Sequence, residues 1–249
     1  MRQAPISPEP GPESVEIKGI LFDKDGTLLD FHATWIPAYR RAAKMASRLA
    51  GRPELADHLL SIGGFDHGTG RCNPGMVLAS GANLDIAHLW AKECGLDDPR
   101  TLVAQLEEVF ARDVATRAVP VGDLAPLFAR LTGRGMRLGI ATMDSEALAE
   151  ATVSVLAIGG FLSFVCGYDS GFGVKPGPGM VMEFCRRVGL QPAEVLVVGD
   201  TLHDVQMGRA AGAGLVVGVL SGTGTRALFE SRCDHVLDDV LALESVIPL

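Results

Sequence analysis

The chain has 249 residues, of which 47% are hydrophobic, so it can bury a full core without metal or disulfide staples, as one large domain or two smaller ones. Its 30 acidic and 22 basic residues give a formal charge of -8, which argues against broad electrostatic adhesion to nucleic acid or to an anionic membrane surface. Five scattered cysteines, Cys72, Cys94, Cys166, Cys185 and Cys233, form no Cys-x-x-Cys pair and suit a reducing cytoplasm.

Residues 1–14 carry Pro5, Pro8, Pro10 and Pro12 in a polar stretch without the apolar run of a signal peptide, and read as a loose tail. No later stretch reaches transmembrane length without charges. A first strand is expected at 17–22, closing on Asp23-Lys24-Asp25-Gly26-Thr27. There Gly26 permits a tight backbone, and the Thr27 hydroxyl is expected to hydrogen-bond the turn.

The next convincing strand waits until 138, far beyond what a crossover helix requires, so something has been inserted. Residues 31–117 read as a helical cap, with apolar residues at helical spacing over 35–49, 84–94 and 102–114 and no strong strand signal. Within it, the glycine-rich stretch 63–75 cannot hold a regular helix; this flexible-looking loop carries Asp66, His67 and Arg71. Trp35 and Trp90 are expected to pack the cap.

After the insert, strands are expected at 138–142, 164–166, 195–198 and 215–219, alternating with helices at 124–131, 147–156, 180–188 and 205–211. Alternation of this kind implies a parallel sheet, so residues 15–30 and 118–249 read as the core of a doubly wound, Rossmann-like α/β fold interrupted by the cap.

Ligands of such sheets bind beyond the carboxyl ends of the strands, and that is where the polar residues gather. Asp23 and Asp25 repel each other and are more comfortable beside a divalent cation, with hard oxygen ligands suited to magnesium. Thr142 ends the second apolar run beside a helix N-terminus, a natural phosphate holder. Lys175 stands in Gly173-Val174-Lys175-Pro176, where the proline is expected to set the entry to the next helix. Asp200-Thr201-Leu202-His203-Asp204 closes another strand, a position where an N-cap alone would also be unremarkable.

Taken in this order, Asp23 to Thr27, Thr142, Lys175 and Asp200 to Asp204 resemble the four motifs of the haloacid dehalogenase superfamily of phosphohydrolases. The resemblance implies that Asp23 is a nucleophile forming an aspartyl-phosphate and that Asp25 is the general acid and base. It further implies that Thr142, Lys175 and backbone amides near Lys24 hold the phosphoryl oxygens. Mg2+ is implied at Asp23, the main-chain carbonyl of Asp25, and Asp200, with Asp204 supporting that shell. P-type ATPases place a threonine where Asp25 stands, and true haloacid dehalogenases lack that aspartate, so hydrolysis is the expected outcome.

An insert directly after the first motif looks like the branch of phosphoglycolate phosphatases and β-phosphoglucomutases. In it Arg71 is the candidate to grip a second substrate anion, with a solvated loop arginine as the alternative. The expected activity is a phosphatase acting on a small phosphorylated metabolite, with a phosphomutase as the alternative and a phosphate-dependent binding module as a third reading. Neither nucleic acid nor membrane is expected as a partner, and the oligomeric state is left open between monomer and homodimer.

Overall fold

The computed structural model describes residues 16–247, so the tail expected at 1–14 lies outside the described residues. In chain order the elements are β1 (Gly19–Phe22), α1 (Phe31–Leu49), α2 (Ala56–Ile62), β2 (Phe65–Asp66), β3 (Arg71–Cys72), α3 (Val77–Ser80), α4 (Asn83–Cys94) and α5 (Pro99–Arg117). There follow α6 (Leu124–Gly133), β4 (Arg137–Ala141), α7 (Glu146–Val155), β5 (Leu162–Cys166), α8 (Gly179–Val188), β6 (Val195–Gly199), α9 (Leu202–Ala211), β7 (Leu215–Val219), α10 (Arg226–Phe229) and β8 (His235–Leu237).

Six strands form one parallel sheet in the order β5-β4-β1-β6-β7-β8. Because neighbouring side chains of a strand leave opposite faces, both faces can be covered only if every position is apolar. Thus Phe22 joins Phe128 of α6, Val153 of α7 and Val198 on one face, while Leu21 joins Met180 and Phe184 of α8 and Met207 of α9 on the other. The Phe22 and Phe128 rings stack with centroids 5.0 Å apart. Burying either ring contributes roughly 1.5–3 kcal/mol.

The strand at 215–219 lies where the apolar run predicts it, and β4 and β6 fall within a residue of theirs at either end. Several short elements escape the sequence pattern. β8 is a three-residue strand paired on one side only, β2 and β3 are two residues each in an antiparallel hairpin, and α2 spans seven residues after a tight turn at Pro53–Leu55. None is long enough to show a period. Pro176 does not open α8 either: that helix starts three residues later, at Gly179.

Between β1 and α6 the helices α1, α2, α4 and α5 build their own core around Trp35, Tyr39, Trp90 and Phe110. The two chain segments that join this helical cap to the sheet are paired with each other. Asp30 N donates to Val119 O at 2.8 Å and Val121 N to Leu28 O at 3.0 Å, while Val119 N donates to Thr34 Oγ1 at 3.0 Å. Among the described residues no helix is long and apolar enough to cross a membrane, and all five cysteines are free.

Candidate active site

Each strand at the centre of the sheet ends on a polar residue under the cap. Asp23 follows β1, Thr142 follows β4 and Asp200 follows β6; all three are buried. Together with Asp25, Asp144, Lys175 and His203 they line one cavity, roofed by Phe31, Trp35, Tyr39 and the 78–83 segment of the cap. The space between floor and roof is narrow and partly continuous with solvent.

Lys175 organises the acidic floor. Its Nζ lies 2.6 Å from Asp23 Oδ1 and 2.5 Å from Asp204 Oδ1, so one ammonium bridges two buried carboxylates. Asp204 has little left to offer a ligand, since its Oδ2 accepts from Thr201 N at 3.0 Å and Thr201 Oγ1 at 2.6 Å. That reciprocal pairing is the capping box of α9; the N-cap is Thr201, and Asp204 serves both helix and floor.

Asp200 Oδ2 accepts from Thr223 N at 2.7 Å and Thr223 Oγ1 at 3.2 Å. Two glycines make room for it: a Cβ on Gly222 would stand 1.9 Å from Asp200 Oδ2, and one on Gly26, whose φ is +87°, would stand 2.5 Å from Asp200 Cγ. What remains are two buried oxygens without partners, Asp23 Oδ2 and Asp200 Oδ1. Carboxylate oxygens of Asp23, Asp200 and Asp204 approach within 4.8 Å of one another. Uncompensated anionic oxygens in a buried site fit a hard divalent cation.

Burial pushes the Asp23 carboxyl up to about 7, with Lys175 acting in the opposite direction and Asp204 in the same one. The Asp200 carboxyl is also pushed well up, first by burial and then by Asp23 and Asp204. Burial by itself would lower Lys175, but Asp204 and Asp23 outweigh it and raise it. The site therefore holds its lysine charged while straining to ionise all its acids at once.

Asp25 lines the same cavity and belongs to a second charged cluster. Lys24 Nζ lies 2.7 and 2.6 Å from its two carboxylate oxygens and 2.7 Å from Asp144 Oδ2. Trp35 Nε1 donates to Asp25 Oδ1 at 2.6 Å, and the Trp35 ring lies over Lys24 Nζ at 5.4 Å to its centroid. Lys24 is fully buried and raised: burial opposes its charge, but Asp144 and Asp25 prevail. Burial pushes Asp144 up to about 6 against the pull of Lys24.

Of the residues singled out in the sequence, Asp23, Asp25, Thr142, Lys175, Asp200 and Asp204 thus meet around one floor. Thr142 Oγ1 accepts from Asp144 N at 3.1 Å. Arg71 is not drawn in; it sits on β3, exposed, with Nη2 3.4 Å from Gly222 O at the rim. Thr27 does not bond its turn through the hydroxyl, which is buried without a partner; its backbone N donates to Lys24 O at 3.4 Å instead. Lys24, Trp35, Asp144 and Thr223 escaped the sequence reading. The one available signal was Asp144, an acid two residues past a strand end like those already noticed.

A family model for hydrolases, described as haloacid dehalogenase-like hydrolase, matches residues 17–212. An N-acetylmuramic acid 6-phosphate phosphatase from Pseudomonas putida is 28% identical over 198 residues, covering 80% of this chain and 81% of that protein. A phosphoglycolate phosphatase from Yersinia pseudotuberculosis is also 28% identical, over 230 residues, with 89% of each chain covered. Among solved structures, one from Haemophilus somnus 129PT, described as a predicted phosphoglycolate phosphatase, superimposes with a TM-score of 0.72 at 19% identity. It covers 93% of this chain and 98% of that one. At that identity the likeness speaks for the fold.

Proposed function

The chain belongs to the haloacid dehalogenase-like hydrolases, and from that premise we propose that it hydrolyses a small-molecule phosphomonoester with Asp23 as nucleophile and Mg2+ as cofactor. The observation that carries this reading is the pair of buried, partnerless oxygens Asp23 Oδ2 and Asp200 Oδ1 beside a lysine-bridged acidic floor.

In the first half-reaction a carboxylate oxygen of Asp23 bonds to phosphorus while the bond from phosphorus to the ester oxygen breaks, and Asp25 donates its proton to that leaving oxygen. Trp35 and Lys24 hold Asp25 in place for the transfer. In the second half, Asp25 takes a proton from the water that attacks phosphorus, the aspartyl-phosphate opens, and inorganic phosphate leaves with Asp23 restored. Thr142, Lys175 and the backbone amide of Lys24 hold the phosphoryl oxygens, since phosphoryl transfer depends chiefly on positioning and charge.

Asp23, Asp200 and the main-chain carbonyl of Asp25 would hold the cation, with Asp204 steadying Lys175 and the floor. Once bound, it neutralises charge on the transferring group and aligns it with Asp23. Trp35 and Tyr39 exclude water from above. A small phosphorylated substrate in a cytoplasmic setting fits the free cysteines and the closed cap.

The test is release of phosphate from a generic aryl phosphate with magnesium present. Asp23→Asn should lower the rate by at least about 10³-fold while circular dichroism stays unchanged; full activity in that variant, or none in the parent protein, would overturn the reading.

A further inference from the structure

The cap side of the cavity carries no charge. Its walls are the rings of Phe31, Trp35 and Tyr39 with Leu78, Ser80 and Asn83, and most of its polar atoms are already engaged inside the protein. Trp35 Nε1 donates to Asp25, Tyr39 Oη to Leu78 O at 2.8 Å and Ser80 Oγ to Met76 O at 3.4 Å. Asn83 differs. It opens α4, is 3% exposed, and its Nδ2 is buried with no partner among the described residues.

On the core side, the lysine in the cavity is occupied by two carboxylates. Asp23, Asp25, Asp144 and Asp200 also line the space, as does His203 of α9, whose Nδ1 is buried without a partner among the described residues. A second anion entering here would leave water for a neutral, aromatic-walled space next to four acids whose lysine partners, Lys24 and Lys175, are already engaged by carboxylates, an unfavourable transfer. A hydroxyl group would instead accept the free N–H of Asn83, while its carbon skeleton lies against the ring faces.

We propose that the leaving group of the substrate is a neutral hydroxylated carbon skeleton, a sugar or polyol, recognised through Asn83 and the Trp35 and Tyr39 rings, and not a carboxylate such as glycolate. This specificity rests on the phosphatase reading given above. Arg71, at the rim and bonded toward Gly222 O, lies outside the recognition surface.

The experiment compares kcat/KM for an aryl phosphate, 2-phosphoglycolate and a panel of neutral sugar and polyol phosphates, in the parent protein and in Asn83→Ala, Asn83→Leu and Arg71→Ala. A neutral ester should exceed 2-phosphoglycolate by at least about tenfold. Both Asn83 variants should lower the ratio of neutral ester to aryl phosphate by about tenfold, the factor that one hydrogen bond of roughly 1.4 kcal/mol provides. Asn83→Leu is nearly isosteric and can neither donate nor accept, so it keeps the test decisive if the alanine variant folds poorly. No turnover of the aryl phosphate would overturn the phosphatase reading itself. Turnover of the aryl phosphate with 2-phosphoglycolate equal to or ahead of every neutral ester, above all if Arg71→Ala removes that advantage, would overturn the proposed specificity alone, as would Asn83 variants with an unchanged ratio.

Discussion

Trp35 Nε1 donates to Asp25 Oδ1 across 2.6 Å, so a residue of the first cap helix holds the carboxylate proposed to carry the proton. Trp35→Phe keeps a ring of similar reach and removes the donor. A hydrogen bond to a charged group is worth roughly 1.5–3 kcal/mol, so kcat with an aryl phosphate is expected to fall about tenfold or more. KM should move much less. Steady-state kinetics that match the parent protein would remove Trp35 from the mechanism.

Lys175 bridges Asp23 and Asp204, and all three side chains are buried. Lys175→Met leaves two unpaired carboxylates in place. Breaking a buried pair in this way costs about 3–5 kcal/mol, so the urea midpoint of the metal-free variant should drop sharply, and magnesium should restore part of it. A midpoint equal to that of the parent protein would contradict the bridging role.

Metal and pH should act on stability in opposite directions. Asp23 is raised by burial to about 7, and Asp200 is raised for the same reason. For a carboxyl raised in the folded state, stability is fully present below the unfolded value, near 4, and is lost as pH climbs through the folded one. The metal-free protein should therefore melt lower at pH 8 than at pH 5.5. A bound cation favours the ionised carboxylates, so the magnesium-induced rise in Tm should be larger at pH 8, as scanning calorimetry would show. An equal rise at both pH values would count against the pair as cation ligands.

A methyl group on Gly222 would land 1.9 Å from Asp200 Oδ2. Gly222→Ala is expected to displace Asp200 without touching a reacting group. Changes behind a metal ligand commonly weaken binding about 10–100-fold. The magnesium concentration for half-maximal activity should rise by such a factor, with kcat at saturating magnesium much less affected; an unchanged requirement would separate Asp200 from the cation.

The parallel sheet was legible because strands buried on both faces must be continuously apolar, and β1, β4 and β6 each close on a polar residue whose position the run itself marks. The floor of the site was legible for the same reason. Trp35 was not: at helical spacing it reads as packing, and packing against Tyr39 and Phe110 is indeed half of what it does. Its bond to Asp25 depends on α1 folding back over the end of β1, a tertiary fact that no local pattern encodes. The Lys24 side chain drew no reading because nothing in the chain announces that Asp144, 120 residues later, will stand beside it. Arg71 was open between two readings for a similar reason, since a loop's composition does not say which way it faces; it stands at the rim, near Gly222 O.

The two connections between cap and sheet are stitched together by Asp30, Val119, Thr34, Val121 and Leu28. Two independent tethers would leave the cap free to tumble like a ball on strings, whereas one laced ribbon leaves it the freedom of a door. Trp35 directly follows Thr34 of that seam, and Asp25 lies a few residues before it. The Trp35–Asp25 bond therefore spans that ribbon and ties the first cap helix to the carboxylate proposed to carry the proton.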